Sequence, residues 1–295
     1  MSAIDFKKML AEERRKRSSQ LTQQDDNAIQ PAAPTVNEGK TPITTDERAP
    51  PKGEDGLIDG QLDIEGPILL PHALSSLWQS MSAVPDLFYV PDVITPITEE
   101  TLVKAVQAGE KSWEKLRGRR LQQWGRIPSR DGSTIDTPLP PWLTTIIDEL
   151  MYLNIFPADK RPNNVLINEY ELDEGIMHHT DGPLYFDRVV ILSLHSDCIM
   201  SFKPNLKTHE IGVKSADDVL SAVLQRRSVF VFQSVWYNQH LHGIYANEVV
   251  SYVDQHGQTV NAASIGLNPG DSVSVDTVFI LCVVVFVLNS NMVYI

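Results

Sequence analysis

The chain has 295 residues, of which 42% are hydrophobic and 21% are charged, and this composition excludes a fully disordered protein. A formal net charge of -13 and a pI near 5.0 argue against a protein that coats nucleic acid or anionic membranes without specificity, because such binding needs many unopposed cations. Two cysteines, Cys198 and Cys282, give neither a disulfide framework nor a zinc-binding spacing, which favours a reducing compartment.

The N-terminal region is predicted to have little fixed structure. Its first residues lack the continuous apolar stretch of a secretory signal, so we expect a location in the nucleus, the cytoplasm or both. The basic cluster at 14–17 fits a nuclear localisation signal, although such runs also occur on the solvated ends of helices. Apart from a short amphipathic helix near Phe6, residues 1–83 are interpreted as a mostly disordered tail, since they are rich in polar residues and proline.

Folded structure is predicted to begin at Val84. Thr98 or Thr101 can cap a helix that runs to about Trp113, and residues 140–153 predict a second helix with one apolar face. Five short apolar strands then follow, with turn residues between them, and this pattern is typical of a β-sandwich or barrel. The predicted strands are 165–170, 175–179, 188–195, 198–204 and 228–237.

The strand that ends in His-His-Thr-Asp predicts a metal site. Side chains two positions apart in a strand point to the same face, so His179 and Asp181 can both reach one ion. His242 follows a distant apolar run and is the candidate third ligand. Two imidazoles and one carboxylate are the ligand set of non-haem Fe(II) oxygenases.

Several motifs around these residues resemble the AlkB family. They are NEY, GIMHHTDGPLYF, the basic and aromatic stretch RGRRLQQWGRIP, and LHGI, and the resemblance extends over residues 84–274. It implies a mainly β fold, a double-stranded β-helix or jelly-roll with flanking N-terminal helices. It also implies a dioxygenase that binds Fe(II) through His179, Asp181 and His242 and uses 2-oxoglutarate as cosubstrate, with Asn168 and Tyr170 contacting the cosubstrate.

The basic strip from Lys115 to Arg130, which includes the stretch RGRRLQQWGRIP, is a candidate nucleic-acid surface. It contains no acidic residue, and its arginines could neutralise phosphates while a base stacks on the tryptophan. The alternative is an ordinary charged hairpin in solvent. The candidate contacts with single-stranded or alkylated nucleic acid are Arg117, Arg119, Arg120, Trp124 and Arg126.

The C-terminal segment, residues 275–295, departs from the family. The family places an arginine on a late strand, where it pairs with the distal carboxylate of 2-oxoglutarate, but this chain has no Lys or Arg after Arg227. The apolar run 278–288 is too short for a membrane helix, so we expect no membrane association. It is either a buried strand or an abnormal end that replaces the last family strand.

Three hypotheses follow from these observations. The first is an Fe(II)- and 2-oxoglutarate-dependent dioxygenase that demethylates or dealkylates nucleic-acid bases. The second is a catalytically impaired AlkB-like binding module that lacks the anchoring arginine. The third is a metal-free jelly-roll interaction domain. The sequence predicts no oligomeric state.

Overall fold

The structure is a computed structural model. The residues it describes are 57–58, 61–62, 66–75, 77, 84–108, 113–129, 132–206, 219–246, 250–255, 257–274 and 279–288. The predicted amphipathic helix, the basic cluster at 14–17 and most of the predicted tail lie outside these ranges. Within them, no helix has the length and apolar character needed to cross a membrane.

The described chain is built mainly from short strands. The strands are β1 Leu57–Ile58, β2 Gln61–Leu62, β3 Leu87–Val90, β4 Glu114–Lys115, β5 Arg120–Pro128, β6 Thr134–Thr137, β7 Asn164–Glu171, β8 Ile176–His179, β9 Arg188–Leu194, β10 Cys198–Pro204, β11 Leu220–Leu224, β12 Val229–Gln233, β13 His240–Ile244, β14 Val250–Tyr252, β15 Gln258–Thr259, β16 Ser272–Ser274 and β17 Phe279–Phe286. The helices are α1 Pro71–Leu74, α2 Pro96–Ala108, α3 Pro141–Tyr152 and α4 Val235–Asn238.

Two large sheets form the fold. The major sheet has eight strands, in the order β3-β12-β9-β17-β7-β5-β4 with β6 beside β5. The minor sheet has five strands, in the order β15-β11-β10-β13-β8. All neighbours in both sheets are antiparallel except the short pair β11 and β15.

The major sheet is buried on both faces. In β9, Val189 and Ile191 point into a core shared with Phe202 of the minor sheet, whereas Val190 and Leu192 join a second core on the opposite face. This division follows from the alternation of side chains along a strand. The shared core between two antiparallel sheets confirms the predicted jelly-roll.

The helices cover the outer face of the major sheet. Leu102 of α2 and Leu143 of α3 are buried in the same core as Val165 of β7, so the prediction of flanking helices is confirmed. The predicted cap of α2 is wrong, because Thr95 precedes the helix and its Oγ1 accepts a hydrogen bond from the Thr98 amide at 3.1 Å. The described helix extends over Pro96–Ala108, and Trp113 is not helical, so the helix does not reach its predicted end.

Residues 66–77 differ from the prediction that they belong to a disordered tail. Ile68, Leu69 and Leu74 are buried in the outer core. The backbone amides of Ile68 and Leu69 donate to the carboxylate of Glu149 on α3, at 2.8 and 2.7 Å. The apolar run in this segment supplies enough burial to offset the entropy of ordering it.

The predicted strand 228–237 is wrong in its second half. Strand β12 ends at Gln233, and Ser234 adopts a φ of 50° that turns the chain into α4. Trp236 and Tyr237 therefore belong to a helix and not to the strand. Apolar residues stand on both sides of Gln233 and Ser234, and periodicity alone does not separate a buried strand from a short buried helix.

The C-terminal segment contributes a central strand of the major sheet. The backbone of β17 pairs with β7 from Phe279 opposite Glu171 to Phe286 opposite Asn164, and on its other side it pairs with β9. Beyond the strand, the Leu288 amide donates to Asn163 Oδ1 at 2.7 Å, and Asn163 Nδ2 donates to the Leu288 carbonyl oxygen at 3.2 Å. These contacts favour the strand interpretation of the segment.

If β17 belongs to the native sheet, Phe286→Ala will destabilise the protein. Phe286 is 4% exposed and its ring contacts that of Tyr185. Removal of a buried Phe side chain costs about 3–5 kcal/mol because burial is lost and a cavity remains. Urea unfolding followed by circular dichroism measures the change. The control is Tyr152→Ala, a residue that is 82% exposed, and equal unfolding midpoints for the two variants would show that β17 does not stabilise the fold.

Candidate metal centre

Pairing of β8 with β13 brings the two predicted histidine ligands together. In the register of these antiparallel strands, His242 lies directly opposite His179. Asp181 follows two residues after His179, where β8 has ended. The ring centroids of the two histidines are 4.5 Å apart. Residues that are distant in the chain therefore meet at one edge of the minor sheet.

The donor atoms of the three side chains converge. Asp181 Oδ1 lies 3.8 Å from His179 Nε2, and Asp181 Oδ2 lies 3.6 Å from His242 Nε2. One ligand atom from each residue lies within 4.8 Å of the other two. Donors that bind a single ion at about 2 Å each have separations of this kind.

A hydrogen bond to a backbone carbonyl group fixes the tautomer of His179. Its Nδ1 lies 2.8 Å from the Met177 carbonyl oxygen, which can only accept, so Nδ1 carries the proton and donates it. The lone pair is then on Nε2, the nitrogen that faces Asp181. A hydrogen bond from the second imidazole nitrogen to a carbonyl is the usual arrangement around a metal ligand.

Burial keeps both imidazoles neutral. The pKa of His179 falls to about 3, chiefly through burial and then through the charge of His242, and the pKa of His242 also falls to about 3 through burial and His178. Burial raises the pKa of Asp181, although His179 and Arg119 oppose that rise. Neutral imidazoles are the form that binds metal.

One carboxylate oxygen of Asp181 has no described hydrogen-bond partner. Its Oδ2 is buried and has no hydrogen-bond partner among the described residues. A buried carboxylate oxygen without a partner is costly unless a cation or a donor satisfies it. The donor set and this oxygen together fit a divalent metal ion of the Fe(II) type.

The loop after Asp181 is anchored by a residue that the sequence analysis missed. The Tyr237 hydroxyl donates to the Gly182 carbonyl oxygen at 2.6 Å, and burial raises the pKa of this tyrosine, so it remains protonated. Tyr237 lies on α4, and the erroneous prediction of a strand through residue 237 concealed its role. We interpret it as a positioning residue for Asp181.

Gly243 allows the two ligand strands to approach closely. A Cβ atom at this position would lie 2.8 Å from the Ile176 carbonyl oxygen and 2.9 Å from the His178 amide nitrogen. Both contacts are with the backbone of β8 and cannot be relieved by a side-chain rotation. The residue after His242 must therefore be glycine for His242 to keep its place opposite His179.

His178 lies next to a predicted ligand but makes other contacts. Its Nε2 is 2.7 Å from Ser201 Oγ, and its ring packs edge-on against Tyr245. It is not a member of the cluster formed by His179, Asp181 and His242. Strand alternation predicts this separation of neighbouring histidines.

Asn168 and Tyr170, the predicted cosubstrate contacts, lie two residues apart on β7, and both are buried. The amide oxygen of Asn168 accepts a hydrogen bond from Arg119 Nε at 3.0 Å. Tyr170 belongs to the core between the two sheets. Their contact with a cosubstrate stays a prediction.

The basic strip is less open than its sequence suggests. Arg117 is exposed, but Arg119 is 4% exposed, and Arg120 pairs with Glu169, which lies opposite it on β7. Arg126 pairs with Asp136 of β6 at 3.2 Å. The strip itself contains no acid. The acidic partners of Arg120 and Arg126 lie on β7 and β6, and the strand register places them opposite these arginines.

Trp124 and Arg130 complete the strip. Trp124 is half-buried, its Nε1 donates to Gln122 Oε1 at 3.0 Å, and its side chain packs against the outer core. Arg130 lies outside the described residues. The part of these residues in nucleic-acid binding stays a prediction.

Several known proteins are similar to the chain. It is 36% identical over 196 residues to "Probable RNA/DNA demethylase ALKBH6" of Danio rerio, and the alignment covers 64% of this chain and 81% of the relative. It is 31% identical over 137 residues to "Alkylated DNA repair protein ALKBH8 homolog" of Arabidopsis thaliana, covering 43% of this chain and 39% of that protein.

A solved structure is also similar to part of the chain. A structure described as OsALKBH1 aligns with a TM-score of 0.43 and 14% identity over 70% of this chain and 98% of the other. No family model matches the chain. Because the identity of 36% extends over 81% of the ALKBH6 relative, the chain belongs to the AlkB family that its motifs indicate.

Proposed function

We propose that this protein is an Fe(II)- and 2-oxoglutarate-dependent dioxygenase that removes alkyl groups from nucleic-acid bases. The observation that supports it most is the convergence of His179, Asp181 and His242, with a buried Asp181 oxygen that has no described hydrogen-bond partner. Membership of the AlkB family gives the same reaction class.

The reaction class follows from what the site would bind. Fe(II) with 2-oxoglutarate and O₂ supplies oxidation of a C–H bond to C–OH, while the cosubstrate loses CO₂ and becomes succinate. Binding of the ion by His179, Asp181 and His242 leaves further coordination positions for the cosubstrate and O₂. The buried setting of the three residues limits the access of bulk water to these positions.

The surrounding residues would orient the reactants. Asn168 and Tyr170 offer an amide and a phenol on one face of β7, which suits the oxygens of a small dicarboxylate. The hydrogen bond from Tyr237 to the Gly182 carbonyl limits the movement of the loop that carries Asp181. Preorganisation of this kind favours the reaction because less reorganisation is needed as it proceeds.

Nucleic acid is the proposed substrate class. The similar proteins carry printed names that refer to RNA, DNA and their demethylation or repair. Arg117 is exposed, and Trp124 is half-buried on a strand of the same hairpin. An exposed cation can bind a phosphate of a single strand, and the exposed part of a tryptophan ring can stack on a base.

The absence of Lys and Arg after Arg227 supports a second candidate function. Without a cation on the late strand, the distal carboxylate of 2-oxoglutarate loses a charge-assisted contact. Such a protein would be an AlkB-like binding module with little or no turnover. Measurement of succinate formation separates this candidate from the enzyme.

The first test is cosubstrate turnover by the purified full chain. With Fe(II) and a methylated single-stranded oligonucleotide, we expect the chain to form succinate from 2-oxoglutarate, and we expect His179→Ala to abolish it because a metal ligand is lost. The control is His72→Ala, an exposed histidine on α1, which should retain the activity of the unmodified chain. Metal-dependent turnover that persists in His179→Ala would exclude the proposed centre.

The nucleic-acid surface is tested best at Arg117. Substitution of Arg119 or Arg120 would disturb buried contacts, whereas Arg117→Gln removes an exposed charge only. If Arg117 binds a phosphate, fluorescence anisotropy with a single-stranded oligonucleotide will show weaker binding and a salt slope reduced by about 1. Affinity and slope equal to those of the control Arg161→Gln, an exposed arginine that pairs with Asp148 of α3, would remove Arg117 from the surface.

A further inference from the structure

A buried arginine beside the candidate metal centre has no acidic partner. Arg119 is 4% exposed, and its Nε donates to Asn168 Oδ1 at 3.0 Å. No carboxylate among the described residues forms an ion pair with it, whereas its neighbour Arg120 pairs with Glu169 and the partly buried Arg227 pairs with Glu99. Among the described residues, the guanidinium of Arg119 is therefore hydrogen-bonded to a neutral group, the side-chain amide of Asn168.

A buried cation of this kind is costly. The desolvation of a guanidinium is offset only when an opposite charge and hydrogen bonds replace its water. Arginine retains its charge at any pH that a protein tolerates, so deprotonation gives no relief. Asp181 is the described acid whose charge interacts with Arg119, and a metal ion bound by Asp181 would offset that charge, so the position of Arg119 favours a second anion.

The backbone places this cation next to the metal ligands. The Gly175 amide, one residue before β8, donates to the carbonyl oxygen of Gly118 at 3.1 Å. A Cβ at Gly118 would lie 2.8 Å from the Gly175 carbonyl oxygen, so the two segments cross in close contact. Arg119 follows at once, immediately before β5, and its charge acts on both His179 and Asp181.

The late strand does not provide such a cation. Strand β17 pairs with β7 and places Cys282 opposite Asn168, so it lies beside the residues predicted to contact the cosubstrate. It has no Lys or Arg, and neither has any residue after Arg227. A dicarboxylate that chelates the metal with one end would otherwise bury its second carboxylate without a counter-ion.

We propose that the guanidinium of Arg119 binds the distal carboxylate of 2-oxoglutarate and compensates for the arginine that the late strand lacks. This inference rests on the proposed function, because it takes a metal-chelating dicarboxylate as the ligand. Two of the guanidinium nitrogens can form a paired, charge-assisted contact with one carboxylate while Nε keeps its hydrogen bond to Asn168. Arg119 is thereby assigned to cosubstrate binding and not to the nucleic-acid surface.

The test measures binding without turnover. The full chain is loaded with Mn(II), and isothermal titration gives the affinity for 2-oxoglutarate and for 2-oxopentanoate, which has the same chain length but no distal carboxylate. We expect the unmodified chain to prefer 2-oxoglutarate by about ten- to a hundredfold, the value of a charge-assisted contact. We expect Arg119→Gln to lose most of this preference and Arg119→Lys to keep part of it.

The controls separate this inference from the proposed function. Arg161→Gln is the matched control and should keep the full preference, and Mn(II) affinity together with thermal unfolding reports whether each variant retains the site and the fold. If Arg119→Gln binds Mn(II) and still prefers 2-oxoglutarate fully, the role of Arg119 is excluded while the oxygenase stands. The role of Arg119 is also excluded if the unmodified chain binds Mn(II) but does not prefer 2-oxoglutarate over 2-oxopentanoate. This measurement needs no variant. Failure of the unmodified chain to bind Mn(II) contradicts both proposals.

Discussion

The pairing of β8 with β13 is the constraint on which the site depends. It places His242 opposite His179, and Gly243 permits the close approach of the two backbones. A shift of one residue would turn the alternate side chains to the opposite face, because the side-chain period of a strand is two. The minor sheet therefore fixes the geometry of the three ligands more than any contact between the ligands themselves.

The major sheet supports this arrangement from the other side of the core. Its strands carry apolar residues on both faces, so it packs against the helices outside and the minor sheet inside. Asn168 of β7 and Arg119, just before β5, bring polar groups from the major sheet towards the ligands of the minor sheet. The site thus lies where the two sheets meet, and the opposite charges of Asp181 and Arg119 stay balanced when a divalent ion and a dicarboxylate bind together.

Local patterns in the sequence predict part of this structure. The short apolar runs that form β7 and β9, the spacing of His179 and Asp181, and the apolar face of α3 are all properties of neighbouring residues, and the structure agrees with each. The family motifs supply the connection to His242, which spacing alone does not select. Asn168 and Tyr170 share a strand face, as their spacing indicates.

Features that depend on residues far apart in the chain cannot be predicted from local sequence patterns. The pairing of Arg120 with Glu169 is a consequence of the register between β5 and β7, and the burial of Arg119 follows from the crossing of Gly118 with Gly175. The turn at Ser234 coincides with two polar residues, Gln233 and Ser234, but the apolar residues that follow them do not indicate whether the chain continues as a strand or a helix. The central position of β17 also depends on β7 and β9, which are far away in the chain. Its apolar composition predicts burial but does not identify these partner strands.

The most direct measurement of the central claim is the anomalous scattering of Mn(II) in crystals of the full chain. The account predicts one strong peak at about 2 Å from the Nε2 atoms of His179 and His242 and from a carboxylate oxygen of Asp181. A well-ordered site with no peak there, or a peak bound by other residues, would contradict it.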